Sequence, residues 1–140
     1  MIACCWAINM KGETRGELLS KFHHMGVMVK NMDKAVEYFQ ALGIGPFEPS
    51  NLVHIDRQMY GKPVAADVKN IVKATTMGPI GIELIQPASG KSVHGEWVES
   101  HGEGINHIAF IVDDIEEATS IMVEVNPMAT LKKPRVPTYL

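Results

Sequence analysis

One stretch of this sequence occurs twice, and the distance between the copies governs how the chain can fold. Phe22-His23-His24-Met25-Gly26-Val27-Met28-Val29 returns as Ile105-Asn106-His107-Ile108-Ala109-Phe110-Ile111-Val112, with His107 falling 83 positions after His24. The same offset lays Ile115 on Met32 and Ala118 on Ala35, so each copy reads as a strand running into a helix. Alternate residues of a strand share a face. His24 therefore lines up with Gly26 and Met28, and His107 with Ala109 and Ile111. A single histidine heading an apolar face is usually a satisfied core residue. The same histidine at the same place in two copies of one unit points instead to a shared task.

The elements between the copies give an α+β chain. Asp33 is placed to cap a helix carrying Met32, Val36 and Phe39 at helical spacing, and Gly43 to end it in a left-handed conformation. Pro46 and Pro49 then enforce an extended passage. Strands are expected over Leu52–Met59 and Val64–Thr75, around a turn at Tyr60-Gly61-Lys62-Pro63. After a turn at Gly78-Pro79 comes a strand from Ile80 to Ile85, which Pro87 closes. In that strand Gly81, Glu83 and Ile85 share one face, and Ile82 and Leu84 the other. A lone carboxylate there either looks into solvent or is buried with a partner or a metal, because burying it bare is costly. A linker from Ala88 to Glu103 carries a short helix through Trp97 and Val98. The second helix takes Asp113 as N-cap with Glu116 three residues on, presents Ile115, Ala118 and Met122, and ends at Asn126-Pro127. Beyond it, Met128 to Leu140 has room for about one strand where the first unit has three.

A chain of 140 residues suits one domain with a real core. Its net charge of −3 supplies no general basic field for nucleic acid or an anionic membrane. No apolar run approaches the roughly 18 residues of a membrane span. The only cysteines, Cys4 and Cys5, are adjacent, lack metal-finger spacing and read as free thiols. With no basic leader before them, a cytoplasmic location is expected.

The residues that carry chemistry are His24, Glu83 and His107, two imidazoles and a carboxylate drawn from three strands. Such a set suits a divalent first-row metal with positions left open for water or substrate. An open metal site can polarise a carbonyl oxygen and stabilise the enolate formed when a neighbouring C–H proton is removed. His54, His94 and His101 read as surface histidines, while Arg57, Tyr60 and Lys62 could meet an anionic ligand near the site's mouth.

From Phe22 to about Val125 the chain resembles the vicinal oxygen chelate superfamily, which includes glyoxalase I, bleomycin-resistance proteins, extradiol dioxygenases and methylmalonyl-CoA epimerase. The resemblance runs through His24-Met25-Gly26-Val27, Asp33-Lys34-Ala35-Val36-Glu37-Tyr38-Phe39, Ile82-Glu83-Leu84-Ile85-Gln86-Pro87 and His101-Gly102-Glu103-Gly104-Ile105-Asn106-His107-Ile108-Ala109-Phe110. The last of these, followed by Val112-Asp113-Asp114-Ile115, is most similar to the epimerase branch.

The resemblance implies a glyoxalase-like cupped sheet built from βαβββ modules around a divalent ion, with Zn, Co, Ni, Mn and Fe as candidates. His24, Glu83 and His107 fall on its ligand positions, with Glu83 also in the catalytic role. His23 precedes the matched position and by alternation should face the helix side. A first module at 22–86 follows an N-terminal arm at 1–21, and a linker at 87–103 leads to an incomplete second module at 104–140. The family's fourth ligand, a glutamate one repeat beyond Glu83, would fall at position 166, past Leu140. Its other expected acid belongs on the third strand, where Lys69 and Lys73 stand instead.

The implied activity is that of a metal-dependent isomerase or lyase most like methylmalonyl-CoA epimerase, with a small-molecule substrate for which an acyl-CoA is a candidate. A non-catalytic binding protein of the resistance type, or a module that works only as an assembly, are the other readings. A half-finished second sheet leaves an unpaired edge, so a homodimer is expected, strand-swapped in one form.

Overall fold

The computed structural model describes residues 19–50, 58–59, 62–63, 65 and 67–125. Cys4 and Cys5, most of the N-terminal arm, His54, Arg57, Tyr60 and the chain from Asn126 onward lie outside the described residues, as does most of the strand expected over Leu52–Met59.

The first repeat copy forms strand β1 (Lys21–Met28), which leads into helix α1 (Met32–Ala41). The short strand β2 (Glu48–Pro49) follows, and β3 (Gln58–Met59) pairs with β4 (Lys62–Pro63) as a separate antiparallel ribbon. Strands β5 (Lys69–Met77) and β6 (Ile80–Ser89) form a long hairpin whose turn holds Gly78 at φ +60°. Helix α2 (Val93–His101) bridges to β7 (Gly104–Ile111), the second copy's strand, and helix α3 (Ile115–Val125) follows. The main sheet has the order β2-β5-β6-β1-β7. Within it β1 runs parallel to β6 and antiparallel to β7, while β2 and β5 are antiparallel to their neighbours.

The α+β architecture expected from the residues is thus present. Alternation divides the sheet as the sequence implied. Ile82 and Leu84 join Val29, Met32 and Phe47 in a buried cluster beneath α1, with Val36, Phe39 and Ile44 packed against it. That leaves Gly81, Glu83 and Ile85 on the opposite, cupped face. A smaller cluster of Val112 and Ala118, joined by Ile115, holds α3.

Three local expectations are corrected. Asn31 rather than Asp33 caps α1: its side chain accepts from the Lys34 N–H at 3.0 Å, and Asp33 lies in the first turn. Likewise Asp114 rather than Asp113 accepts the Glu116 and Glu117 N–H groups at 2.8 and 3.1 Å, freeing Asp113 to pair with Lys21 at 3.6 Å. In both cases the acceptor lies just before the first helical turn, where N–H groups lack intrahelical partners. Pro87, finally, does not close β6. Pairing of β6 with β1 ends at Met28 and Ile85, with one further bond from the Val29 N–H to the Ile85 carbonyl. Pro87 lies past that point, opposite Asn70 of β5, where a proline is tolerated in a strand.

Candidate metal centre

The three sequence candidates come together on the cupped face. In the sheet register Gly26 of β1 lies beside Glu83 on one side and His107 on the other, while His24 lies beside Gly81 and Ala109. Small residues thus surround the two imidazoles for steric reasons. A Cβ on Gly26 would overlap the His107 ring, which lies across that backbone. A Cβ on Gly81 would stand 2.8 Å from the His24 Cβ and 2.6 Å from the His23 carbonyl oxygen. Gly26 and Gly81 are therefore clearance for the histidines.

His24 Nε2 stands 3.3 Å from His107 Nε2 and 3.5 Å from Glu83 Oε2. One donor atom from each of the three residues falls within a 4.8 Å span. All three are buried, with relative exposures of 8% for His24, 9% for Glu83 and 2% for His107, so Glu83 does not look into solvent. Burial lowers His24 and His107 to about 4, helped by the neighbouring His23 at His24 and by His24 and His94 at His107. Both rings are therefore neutral at neutral pH. Burial raises Glu83, and a hydrogen bond with the Ser50 side chain opposes that rise.

This donor set fits a divalent ion. Two nitrogens each about 2.0–2.1 Å from a common zinc at near-tetrahedral angles stand about 3.4 Å apart, and the observed nitrogens are 3.3 Å apart. Neutral imidazole and carboxylate are the ligand types that Zn, Ni, Co, Mn and Fe accept. Without an ion, a raised carboxyl and two imidazoles meeting tip to tip would be costly polar burial.

The surroundings correct two further expectations. His23 was expected on the helix side, yet its Nδ1 stands 2.7 Å from His24 Nδ1. A register shift between Phe22 and His24 leaves His23 unpaired with β7 and breaks the alternation there. On the third sheet strand, Ala74 of β5 pairs with Glu83, which puts Asn70, Val72 and Ala74 on the cupped face. Lys73 points the other way, 3.9 Å from Asp33 of α1, and Lys69 is exposed.

Sequence reasoning missed Asn70, His94, Asn106 and Ser50. His94 of α2 accepts at Nδ1 from the Asn70 side-chain amide at 2.9 Å, which brings it to the cup wall rather than leaving it as a detached surface histidine. Strand alternation from Ala74, the partner of Glu83, is the signal that could have found Asn70; nothing in the spacing marks His94. His101 is exposed, its ring stacked on Trp97 at 5.0 Å, and it takes no part in the cluster.

A family model described as the Glyoxalase/Bleomycin resistance protein/Dioxygenase superfamily matches residues 23–136. The chain belongs to this superfamily. Among solved structures, this superfamily member is similar to a hypothetical protein, BH1468, from Bacillus halodurans, at 26% identity and a TM-score of 0.55, over 76% of this chain and 68% of that one. It is also similar to methylmalonyl-CoA epimerase from Mycobacterium tuberculosis, at 21% identity and a TM-score of 0.54, over 77% of this chain and 65% of that one. A variant of the Streptomyces coelicolor epimerase, in complex with 2-nitronate-propionyl-CoA, gives 22% identity and a TM-score of 0.54, over 76% and 72% of the two chains. At 21% and 22% identity the epimerases share the fold. No curated protein matches the chain.

Proposed function

We propose that this superfamily member is a metal-dependent isomerase or lyase, most like methylmalonyl-CoA epimerase, acting at a carbon next to a carbonyl. The observation that carries the reading is the convergence of two buried, neutral imidazoles and one carboxylate on a single face. His24, Glu83 and His107 would hold the ion. When bound, a divalent ion polarises a carbonyl oxygen and so acidifies the neighbouring C–H. Glu83, on the cupped face beside the ion, takes that proton and returns it, with the Ser50 side chain hydrogen-bonded to its carboxyl group. The substrate is a small molecule, with an acyl-CoA favoured by the 2-nitronate-propionyl-CoA and methylmalonyl-CoA bound in similar structures. An arm at 1–21, a first module at 22–86, a linker at 87–103 and an incomplete second module at 104–140 make the unit.

Purified protein loaded with Zn, Co, Ni, Mn or Fe and then freed of loose ions should keep about one equivalent, and His107→Ala should keep almost none. The loaded wild type should also exchange solvent deuterium into methylmalonyl-CoA next to the thioester. Retention of no metal by the wild type would end this reading at its first step.

A second reading has its own support. The face of β5 offers Asn70, Val72 and Ala74, so no carboxylate there stands ready as a second proton-transfer group. On that reading the cup sequesters a small molecule without turning it over, and ligand binding survives His107→Ala. The outer edge of β7 has no strand beside it among the described residues. We infer pairing with a second copy there, by strand exchange in one form, and solution mass would show it as twice the chain mass. The cytoplasm is the proposed location, on the reading of Cys4 and Cys5 as free thiols. No helix among the described residues is long and apolar enough to cross a membrane.

A further inference from the structure

The two imidazoles are each met from behind by the residue that precedes them in the chain. His23 Nδ1 stands 2.7 Å from His24 Nδ1, and Asn106 Oδ1 stands 3.0 Å from His107 Nδ1. In a regular strand neither contact forms, because neighbouring side chains point to opposite faces. The β1–β7 pairing, however, shifts register twice. Between Phe22 and His24 the extra residue on β1 is His23, and between Val27 and Gly26 the extra residue on β7 is Asn106. Each irregularity sits one position before a candidate ligand, and the two are related by the same offset as the histidines: His23 is to Asn106 as His24 is to His107. A bulge re-aims the side chain of its extra residue. Here both turn toward a ring nitrogen.

The chemistry of the contacts fixes what they do. An amide oxygen only accepts, so Asn106 Oδ1 holds the His107 proton on Nδ1 and leaves the Nε2 lone pair facing the cup. His23 can accept at Nδ1 in the same way, leaving the His24 Nε2 lone pair beside that of His107. We propose that His23 and Asn106 are the positioning residues of the metal centre, each set on a bulge to lock its neighbouring histidine with the proton on Nδ1 and the ligating lone pair on Nε2. This rests on the metal reading above and adds to it the residues that orient the ligands.

The test uses zinc alone as probe, with affinity measured by competition against a chromophoric chelator. His23→Phe and Asn106→Leu remove the acceptors, and each should weaken zinc binding about 10–100-fold, the usual effect of losing the group that orients a metal ligand. His23→Asn and Asn106→His exchange the residues between the two copies, keep an acceptor in place and should bind close to wild type. Nitrogen NMR of the zinc-loaded wild type should show both ligand rings protonated at Nδ1. Wild-type zinc affinity in His23→Phe and Asn106→Leu, or ring protons found on Nε2, would overturn the inference and leave the metal centre standing. A wild type that takes up no zinc would instead remove the metal reading, and this inference with it.

Discussion

Gly26→Ala should cost the protein its metal affinity by more than about 100-fold while leaving its secondary structure in place. The added methyl group would occupy the volume of the His107 imidazole, whose ring supplies all three of the nearest atoms. His107 is 2% exposed and has no open side to retreat to without dragging β7 with it. Overpacking of this kind costs typically about 1–3 kcal/mol of stability, less than loss of the site would suggest, so the two effects separate. Circular dichroism should report a folded sheet and chelator competition an emptied site. Wild-type zinc affinity in this variant would show that His107 does not lie across Gly26.

Metal-free protein should lose stability as the pH falls from about 6.5 toward about 4. His24 and His107 are held near 4 in the folded state against an ordinary 6.5. Between those values the unfolded chain takes up protons that the folded chain refuses, so acidification favours unfolding, by up to about 1.4 kcal/mol per pH unit for each group. Glu83 acts in the opposite sense: with its folded value raised, it contributes stability at low pH that is lost as the pH rises. Two histidines against one carboxyl leave acid as the destabilising direction. Urea midpoints of chelator-treated protein at about pH 7 and about pH 5 measure this. Equal midpoints would mean that the two histidines do not outweigh Glu83. Zinc should raise both midpoints, since it binds the folded state alone.

The sheet and the convergence of His24, Glu83 and His107 were readable from the residues because both follow from periodicity. The 83-residue offset paired His24 with His107, and strand alternation put Glu83 on the face opposite Ile82 and Leu84. What escaped depends on departures from periodicity or on contacts distant in sequence. His23 and Asn106 violate alternation at register shifts, which leave no mark in the hydrophobic pattern. Asn70 and His94 meet across 24 positions, through a hairpin and a helix whose mutual placement no local spacing encodes. Asp33 and Asp113 looked like caps because both lie close to a helix start, and only the fold shows that Asn31 and Asp114 reach the orphan N–H groups.

The order of the strands also distributes the candidate ligands unequally between firm and yielding backbone. Glu83 and His24 ride on β6 and β1, each flanked by a strand on both sides, whereas His107 rides on β7, which has a described neighbour on one side alone. Backbone at a sheet border opens to solvent more readily than backbone in its middle. An ion gripping all three would therefore staple the border to the centre, and amide hydrogen exchange along Gly104–Ile111 should slow more on metal addition than exchange along β6. In that sense the ion would stand in for the neighbour that β7 lacks among the described residues.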